Sequence, residues 1–169
     1  MQNSWRQARA GGTSLGLIVV DVDRFKAYND FYGHPSGDAC LQAIARCLRE
    51  QLRGTSDRVA RIGGEEFSVV LPGLDGELCA DVAERLRAAV AALELPHLDN
   101  EHGRIVTISC GAASLLATEP MSPRDLVAAA DAALYHAKQT GRNRVCLADT
   151  VPVVAGAQPP LDRAAAGRG

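Results

Sequence analysis

The stretch VARIGGEEFSVVLPG, residues 59–73, decides the fold of this chain. Two runs rich in apolar and β-branched residues, 59–62 and 66–71, enclose the pair Gly63 and Gly64. Such runs are typical of strands, and glycine tolerates the positive φ that a tight turn requires. The pattern predicts a β-hairpin with acidic residues directly behind its turn.

Strands and helices flank this hairpin on both sides. An apolar run at 15–22, LGLIVVDV, predicts a buried strand with an acidic carboxyl end. The remaining elements predicted from apolar spacing are helices over 38–52, 78–93 and 122–141, and strands over 104–113 and 144–147. Elements that interleave around a central hairpin predict an α+β fold with a mixed sheet covered by helices, and not a doubly wound parallel sheet.

Composition restricts the classes of protein to consider. The chain has 169 residues, 47% of them hydrophobic, and a formal net charge of -2. These values predict one compact soluble domain without the broad basic field that would attract duplex nucleic acid or an anionic membrane. The longest apolar run, 15–20, is too short for a membrane span, and the first residues lack the apolar stretch of a signal peptide, so a cytoplasmic location is expected.

The five cysteines are predicted to be free thiols. Their number is odd, and they show neither CxxC spacing nor a metal-ligand pattern with the four histidines. Each lies in an apolar stretch, which favours burial.

Two acidic pairs are the first candidates for chemistry. Asp21 and Asp23 end the first predicted strand, where alternation would direct both carboxylates to one side; the pair can bind a cation or cap the following helix. Glu65 and Glu66 can face a metal or lie in a solvated turn. If the hairpin packs beside the first strand, the carboxylates converge and two Mg²⁺ ions can bridge them to nucleotide phosphates.

Basic and amide side chains extend this hypothesis. Lys26, Lys138 and Arg142 can neutralise triphosphate charge or be ordinary solvated helix residues. Asn29 and Asp38 can recognise the O6 acceptor and the N1 and N2 donors of guanine, or serve as a helix end and a helix N-cap. His34, which lies between them, is interpreted as structural.

Four segments together resemble the GGDEF family of diguanylate cyclases. They are DVDRFKAYNDFYGHPSGD (21–38), RIGGEEF (61–67), TISCGAA (107–113) and ADAALYHAKQTGRNRV (130–145), in family order over about 15–147. The resemblance implies a nucleotidyl-cyclase or polymerase-palm fold, ferredoxin-like, whose hairpin carries the GGEEF turn. It also implies condensation of two GTP into cyclic di-GMP, with release of two pyrophosphates and with two Mg²⁺ or Mn²⁺ ions per active site.

By motif position, the resemblance assigns each candidate a role. The metal ligands would be Asp21, Glu65 and the carbonyl of Val22, and Glu66 would assist metal binding or deprotonate the 3′-hydroxyl. Asn29 and Asp38 would read guanine. The groups that would hold phosphates or leave room for the nucleotide are Lys26, which would also be catalytic, Lys138, Arg142, the backbone at Arg24 and Phe25, and the turn of Gly63 and Gly64.

The resemblance also predicts an organisation. Residues 1–14 would be the end of an N-terminal helix whose family segment is truncated, 15–149 the catalytic domain, and 150–169 a flexible tail. Catalysis would need a homodimer because one subunit binds one GTP, and an upstream sensory or dimerisation segment is expected. The alternative function is a catalytically silent module that binds GTP or cyclic di-GMP.

One family feature is altered in this chain. Many members have RxxD shortly before the signature turn, as a product-inhibition site. Here the segment reads Arg53-Gly-Thr-Ser-Asp57, so the arginine lies one residue further away, and Arg85 is the second arginine that can join such a site.

Overall fold

The computed structural model of the chain describes residues 1–54 and 56–148. The predicted tail at 150–169 therefore lies outside the described residues. The elements, in chain order, are α1 (Gln2–Gly11), β1 (Ser14–Val22), α2 (Phe25–Tyr32), α3 (His34–Glu50), β2 (Arg58–Arg61), β3 (Glu66–Pro72), α4 (Gly76–Ala91), β4 (Ile108–Leu116), α5 (Pro123–Gln139) and β5 (Val145–Leu147).

The strands form one mixed sheet in the order β2-β3-β1-β4-β5. β2 and β3 are the predicted hairpin, and β3 and β4 flank β1 in antiparallel register. β5 pairs with β4 in parallel, after the crossover through α5. The predicted α+β fold with a mixed sheet is confirmed, but the hairpin lies at one edge of the sheet, and β1 is the central strand.

The central strand β1 separates two apolar cores. Ile18 and Val20 pack into the core that contains side chains of α3 and α4, whereas Leu17 and Val19 pack into the core under α1 and α5. Successive side chains of a strand point to opposite faces, and here both faces are covered. This explains why the sequence of β1 is an almost continuous apolar run.

The start of α3 differs from the sequence prediction. The helix begins at His34 instead of Asp38, with Gly33 as its N-cap and Pro35 in its first turn. Proline suits a first turn because its φ is already helical and its missing N–H has no intrahelical partner there. The interpretation of Asp38 as an N-cap is therefore wrong.

Two further element bounds are also corrected. β4 begins at Ile108 instead of 104, since the preceding residues form a loop with a single bridge between Pro96 and Ile105. α5 ends at Gln139, two residues before Gly141.

All five cysteines are free; four are buried and Cys146 is half-buried. The prediction of free thiols is confirmed, and the prediction that they are buried is confirmed for four of the five. None of the helices described is both long and apolar enough to span a membrane.

Candidate active site

The carboxyl end of β1 lies beside the start of β3, and this brings the carboxylates of Asp21, Glu65 and Glu66 close to one another. Asp21 lies directly opposite Glu66 in the antiparallel register. The Val22 N–H donates to the Glu65 carbonyl oxygen at 3.3 Å, which ties the hairpin turn to the end of β1. Asp21 is only 7% exposed, and both glutamates are half-buried. Hairpin register thus brings residues 44 positions apart, Asp21 and Glu65, to one site.

The electrostatics of this cluster favour a cation. Burial raises the pKa of Asp21, and the neighbouring charges of Asp23 and Glu66 add to the rise while Lys138 opposes it. Burial also raises the pKa of Glu65, with the charge of Asp21 as the next cause. Carboxylates that are poorly solvated and repel one another fit a hard divalent cation such as Mg²⁺, which prefers oxygen ligands.

Lys138 lies at the position where such a cation would be expected. Its Nζ is 2.7 Å from Asp21 Oδ2, and its side chain is 32% exposed. Across residues 1–54 and 56–148, no three His, Cys, Asp or Glu side chains are assembled for metal binding. The positive charge of Lys138 therefore opposes the binding of a divalent ion at Asp21.

Asp23 does not share the cation site with Asp21. Its carboxylate accepts hydrogen bonds from Thr107 Oγ1 at 2.7 Å, Ser109 Oγ at 2.6 Å and the Asn143 N–H at 3.0 Å, and it is 1% exposed. The prediction that both carboxylates face one cation is wrong, because Asp23 lies just beyond β1. The helix-cap alternative is wrong too, since the N-cap of α2 is Arg24 and no side chain caps it.

The start of α2 presents backbone N–H groups. The first intrahelical bond runs from the Tyr28 N–H to the Arg24 carbonyl at 3.1 Å, so the N–H groups of 25–27 precede it. Free N–H groups at a helix start can bind an anion. Lys26 is exposed, Phe25 is buried, and the Arg24 guanidinium forms an ion pair with Glu101 at 2.9 Å.

Asn29 and Asp38 lie on the adjacent helices α2 and α3. Asn29 Oδ1 is buried and has no hydrogen-bond partner among the described groups. It packs against Gly37, where an added Cβ would overlap with Oδ1 and lie 3.0 Å from Asn29 Cγ. Asp38 is exposed near the start of α3, and His34 is also exposed. Their proposed role towards guanine stays a prediction.

The hairpin turn is held by Arg61. Its Nε donates to the carbonyl oxygens of Gly63 at 3.2 Å and Gly64 at 2.9 Å. A Cβ on Gly63 would lie 2.6 Å from Glu66 Oε2, so this position allows the turn to fold close against the carboxylate. The turn therefore places Gly63 beside Glu66, while neither Gly63 nor Gly64 has the positive φ that the sequence predicted.

A cavity of about 500 Å³ adjoins the acidic cluster between the hairpin and α5. Ile62, Glu66, Asp131, Tyr135 and Lys138 contribute to its wall. Of the acidic cluster only Glu66 lines the cavity, and Asn29 and Asp38 do not line it.

Arg142 lies in the turn after α5 and is half-buried. Its φ is 60°, and that of Asn143 is 44°, so two consecutive non-glycine residues have left-handed backbone. Sequence reasoning selected Arg142 and missed Asn143, and it also missed His97, whose Nε2 lies 3.2 Å from the Arg24 carbonyl. Their partners are distant along the chain, so periodicity gave no signal for either residue.

The altered inhibition segment forms its own ion pair. Arg53 Nη2 lies 2.6 Å from Asp57 Oδ1, and Arg53 Nε donates to Asp57 Oδ2 at 3.0 Å. Burial alone would raise the pKa of Asp57, but the hydrogen bonds and charge of Arg53 outweigh it, and the pKa is lowered. The Arg85 guanidinium donates to the Gln51 carbonyl at 3.0 Å.

Comparison with known proteins places this geometry in a family. Residues 1–144 match the family described as "Diguanylate cyclase, GGDEF domain". The chain is 44% identical over 135 residues to the uncharacterized protein YhcK of Bacillus subtilis, covering 80% of this chain and 37% of YhcK. It is 41% identical over 140 residues to the diguanylate cyclase DgcP of Pseudomonas aeruginosa, covering 83% of this chain and 20% of DgcP.

A solved structure shares the fold. The active GGEEF domain of a diguanylate cyclase from Vibrio cholerae superposes with a TM-score of 0.78 at 30% identity, covering 88% of this chain and 92% of that domain. The fold and the cluster of Asp21, Glu65 and Glu66 thus define a domain of the nucleotide-cyclase class. The chain belongs to the GGDEF-domain family of diguanylate cyclases.

The chain spans 37% and 20% of the lengths of YhcK and DgcP. Several of its other relatives are also named as diguanylate cyclases, among them diguanylate cyclase A of Treponema denticola.

Proposed function

We propose that this domain condenses two GTP into cyclic di-GMP with release of two pyrophosphates. The observation that carries the proposal is the convergence of Asp21, Glu65 and Glu66 beside Lys138, in a chain of the GGDEF family. Relatives named as diguanylate cyclases support it. We further propose that residues 15–149 form the catalytic unit.

The acidic cluster would hold the divalent ions. Asp21, Glu65 and the Val22 carbonyl are the proposed ligands, and their poorly solvated negative charge suits two Mg²⁺ or Mn²⁺ ions. The ions, when bound, offset charge on the attacking 3′-oxygen, the α-phosphate and the pyrophosphate.

The remaining residues would bind and orient GTP. Lys26, Lys138 and Arg142 would contact the phosphates, together with the N–H groups at the start of α2. Asn29 and Asp38 would select guanine through its O6, N1 and N2 atoms. Positioning of this kind supplies much of the rate in phosphoryl transfer, because the 3′-oxygen must approach the α-phosphorus in line.

Glu66 is the proposed acceptor of the 3′-hydroxyl proton. The 3′-oxygen then forms a bond to the α-phosphorus of the second GTP, and the bond to pyrophosphate breaks. Each domain would hold one GTP, so two domains must face each other, and the same step on each side closes the ring.

The test is incubation of the domain with GTP and Mg²⁺, followed by chromatography of the nucleotides, with Glu65→Ala as the matched control. Cyclic di-GMP from the wild type alone is the expected result. Cyclic di-GMP at equal rate from Glu65→Ala would refute the metal assignment. Binding of GTP without product from a dimeric sample would instead favour the silent binding module.

A further inference from the structure

Asp23 is a buried carboxylate that the proposed chemistry does not use. It is 1% exposed, and both of its oxygens accept hydrogen bonds. It is therefore unsuited to bind a metal ion or a nucleotide directly. Its donors include the backbone N–H of Asn143, which is 120 residues away in the sequence.

Asn143 and Arg142 form a turn that needs external support. Their φ angles of 44° and 60° lie in the left-handed region, which non-glycine residues rarely adopt and which persists when surrounding contacts fix it. The Arg142 N–H donates to the Ala137 carbonyl at 3.0 Å, which is a contact within the same segment. Asn143 contacts residues outside this segment. Its N–H donates to Asp23 Oδ2, and its Oδ1 accepts a hydrogen bond from Arg87 Nη1 at 2.7 Å.

Asp23 is itself rigidly held. Its N–H donates to the Thr107 carbonyl at 3.0 Å. Thr107 Oγ1 accepts from Asn100 Nδ2 at 3.0 Å and donates to Asp23 Oδ2, while Ser109 Oγ donates to Asp23 Oδ1. Hydrogen bonds to a carboxylate are short and strong, so Oδ2 is a fixed acceptor for the turn.

We propose that Asp23 is a positioning residue that fixes the turn at 141–143, so that Arg142 faces the triphosphate. The inference rests on the proposed function, because it assigns Arg142 to the phosphates. Through Arg142, Asp23 affects how the β- and γ-phosphates of the substrate are bound, and it leaves recognition of guanine unchanged. A residue with only a structural role would weaken binding of every nucleotide alike.

The test compares two probes by titration calorimetry in the presence of Mg²⁺. 3′-Deoxy-GTP carries the triphosphate but cannot react as a nucleophile, and 3′-deoxy-GMP lacks the β- and γ-phosphates. The quantity measured is the dissociation constant of 3′-deoxy-GMP divided by that of 3′-deoxy-GTP, in wild type and in Asp23→Ala. We expect Asp23→Ala to reduce this ratio about tenfold, the effect of one charge-assisted hydrogen bond, with little change in 3′-deoxy-GMP affinity.

Two variants make the result specific. Asp23→Asn keeps an oxygen acceptor for the Asn143 N–H and should retain most of the ratio. Ser109→Ala removes the hydrogen bond to Oδ1 of Asp23. It should lower the midpoint temperature of thermal unfolding and leave the ratio of dissociation constants unchanged. An unchanged ratio in Asp23→Ala, or an equal reduction in Ser109→Ala, would overturn the inference. A wild type that binds neither probe would instead overturn the proposed function.

Amide hydrogen exchange keeps the inference testable if Asp23→Ala fails to fold. In the wild-type domain, NMR should show the Asn143 N–H exchanging on the order of a hundredfold more slowly than that of the exposed Gly64. Exchange of both amides at similar rates would show that Asp23 does not hold the turn.

Discussion

At the scale of single residues, Asp21 lies between the acidic and the basic side chains of the site. It belongs to the acidic cluster through its pairing with Glu66, and to the basic groups through its ion pair with Lys138. A lysine ammonium and a divalent cation repel each other when both lie beside one carboxylate. In the proposed function Lys138 contacts the nucleotide phosphates, which would weaken its hold on Asp21.

Replacement of Lys138 by methionine should therefore strengthen metal binding in the absence of nucleotide. Removing a positive charge 2.7 Å from Asp21 should increase Mn²⁺ affinity about tenfold, well below the upper bound for two unit charges at this separation. Electron paramagnetic resonance of free Mn²⁺ measures it, with Lys26→Met as the control cation. Equal affinity in wild type and Lys138→Met would contradict the competition.

The missing side chain of Gly37 leaves the space that the Asn29 amide occupies. In Gly37→Ala, the new Cβ would overlap with Asn29 Oδ1 and force this amide to move, although alanine is the better helix former. If Asn29 reads guanine, preference for 3′-deoxy-GTP over 3′-deoxy-ATP should fall about tenfold, measured as dissociation constants. Gly76→Ala is the matched control, since its Cβ meets only Leu147 at 3.7 Å. An unchanged preference would show that Asn29 does not select the base.

At the scale of elements, the ion pair of Arg53 and Asp57 closes the connection between α3 and β2. Because the pKa of Asp57 is lowered in the folded state, the pair stabilises the fold above the unfolded pKa near 4 and loses this effect as pH falls through the lowered value. Arg53→Ala should cost about 1 kcal/mol at neutral pH, a modest value because Arg53 is 53% exposed.

Urea unfolding at several pH values checks this prediction. The difference in free energy of unfolding between wild type and Arg53→Ala should be constant near neutral pH and should shrink below about pH 4. A difference that grows on acidification would contradict it.

The packing of α5 on β4 depends on Gly111. A Cβ at this position would overlap with the backbone of Ala130 and Leu134 and lie 2.8 Å from Leu134 Cα. Backbone cannot move aside as a side chain can, so Gly111→Ala should destabilise the domain by about 3 kcal/mol or more. Calorimetric unfolding measures it. In the neighbouring strand, Gly16→Ala should cost less, since its Cβ would meet Cys79 Sγ at 3.2 Å and Leu71 Cβ at 3.3 Å. Equal costs would contradict the argument.

At the scale of the whole molecule, the proposal of one nucleotide site per domain predicts a rate that depends on domain concentration. If two domains must meet for each product, the rate per domain should rise with domain concentration and level off when dimers predominate. Product assays over a dilution series, with sedimentation at the same concentrations, measure this. Undiminished rate per domain in a sample that sediments as a monomer would contradict the dimer mechanism.

The sequence alone determined the class of fold and most of the candidate residues. Apolar alternation and spacing are local properties, so the hairpin at 59–73, the buried strand at 15–22 and the long helices could be read directly. Element ends were less well predicted, as with α3, because Pro35 in a helical first turn looks like a loop signal from the sequence.

Only the tertiary structure decided what the charged residues do. Asp21 and Asp23 are two positions apart and chemically identical, yet one faces Lys138 and Glu66 while the other is enclosed by Thr107, Ser109 and Asn143. The partners come from β3, α5, the start of β4 and the turn after α5, all distant along the chain. The role of a carboxylate depends on burial and on the donors and charges around it, and those are set by how the chain packs.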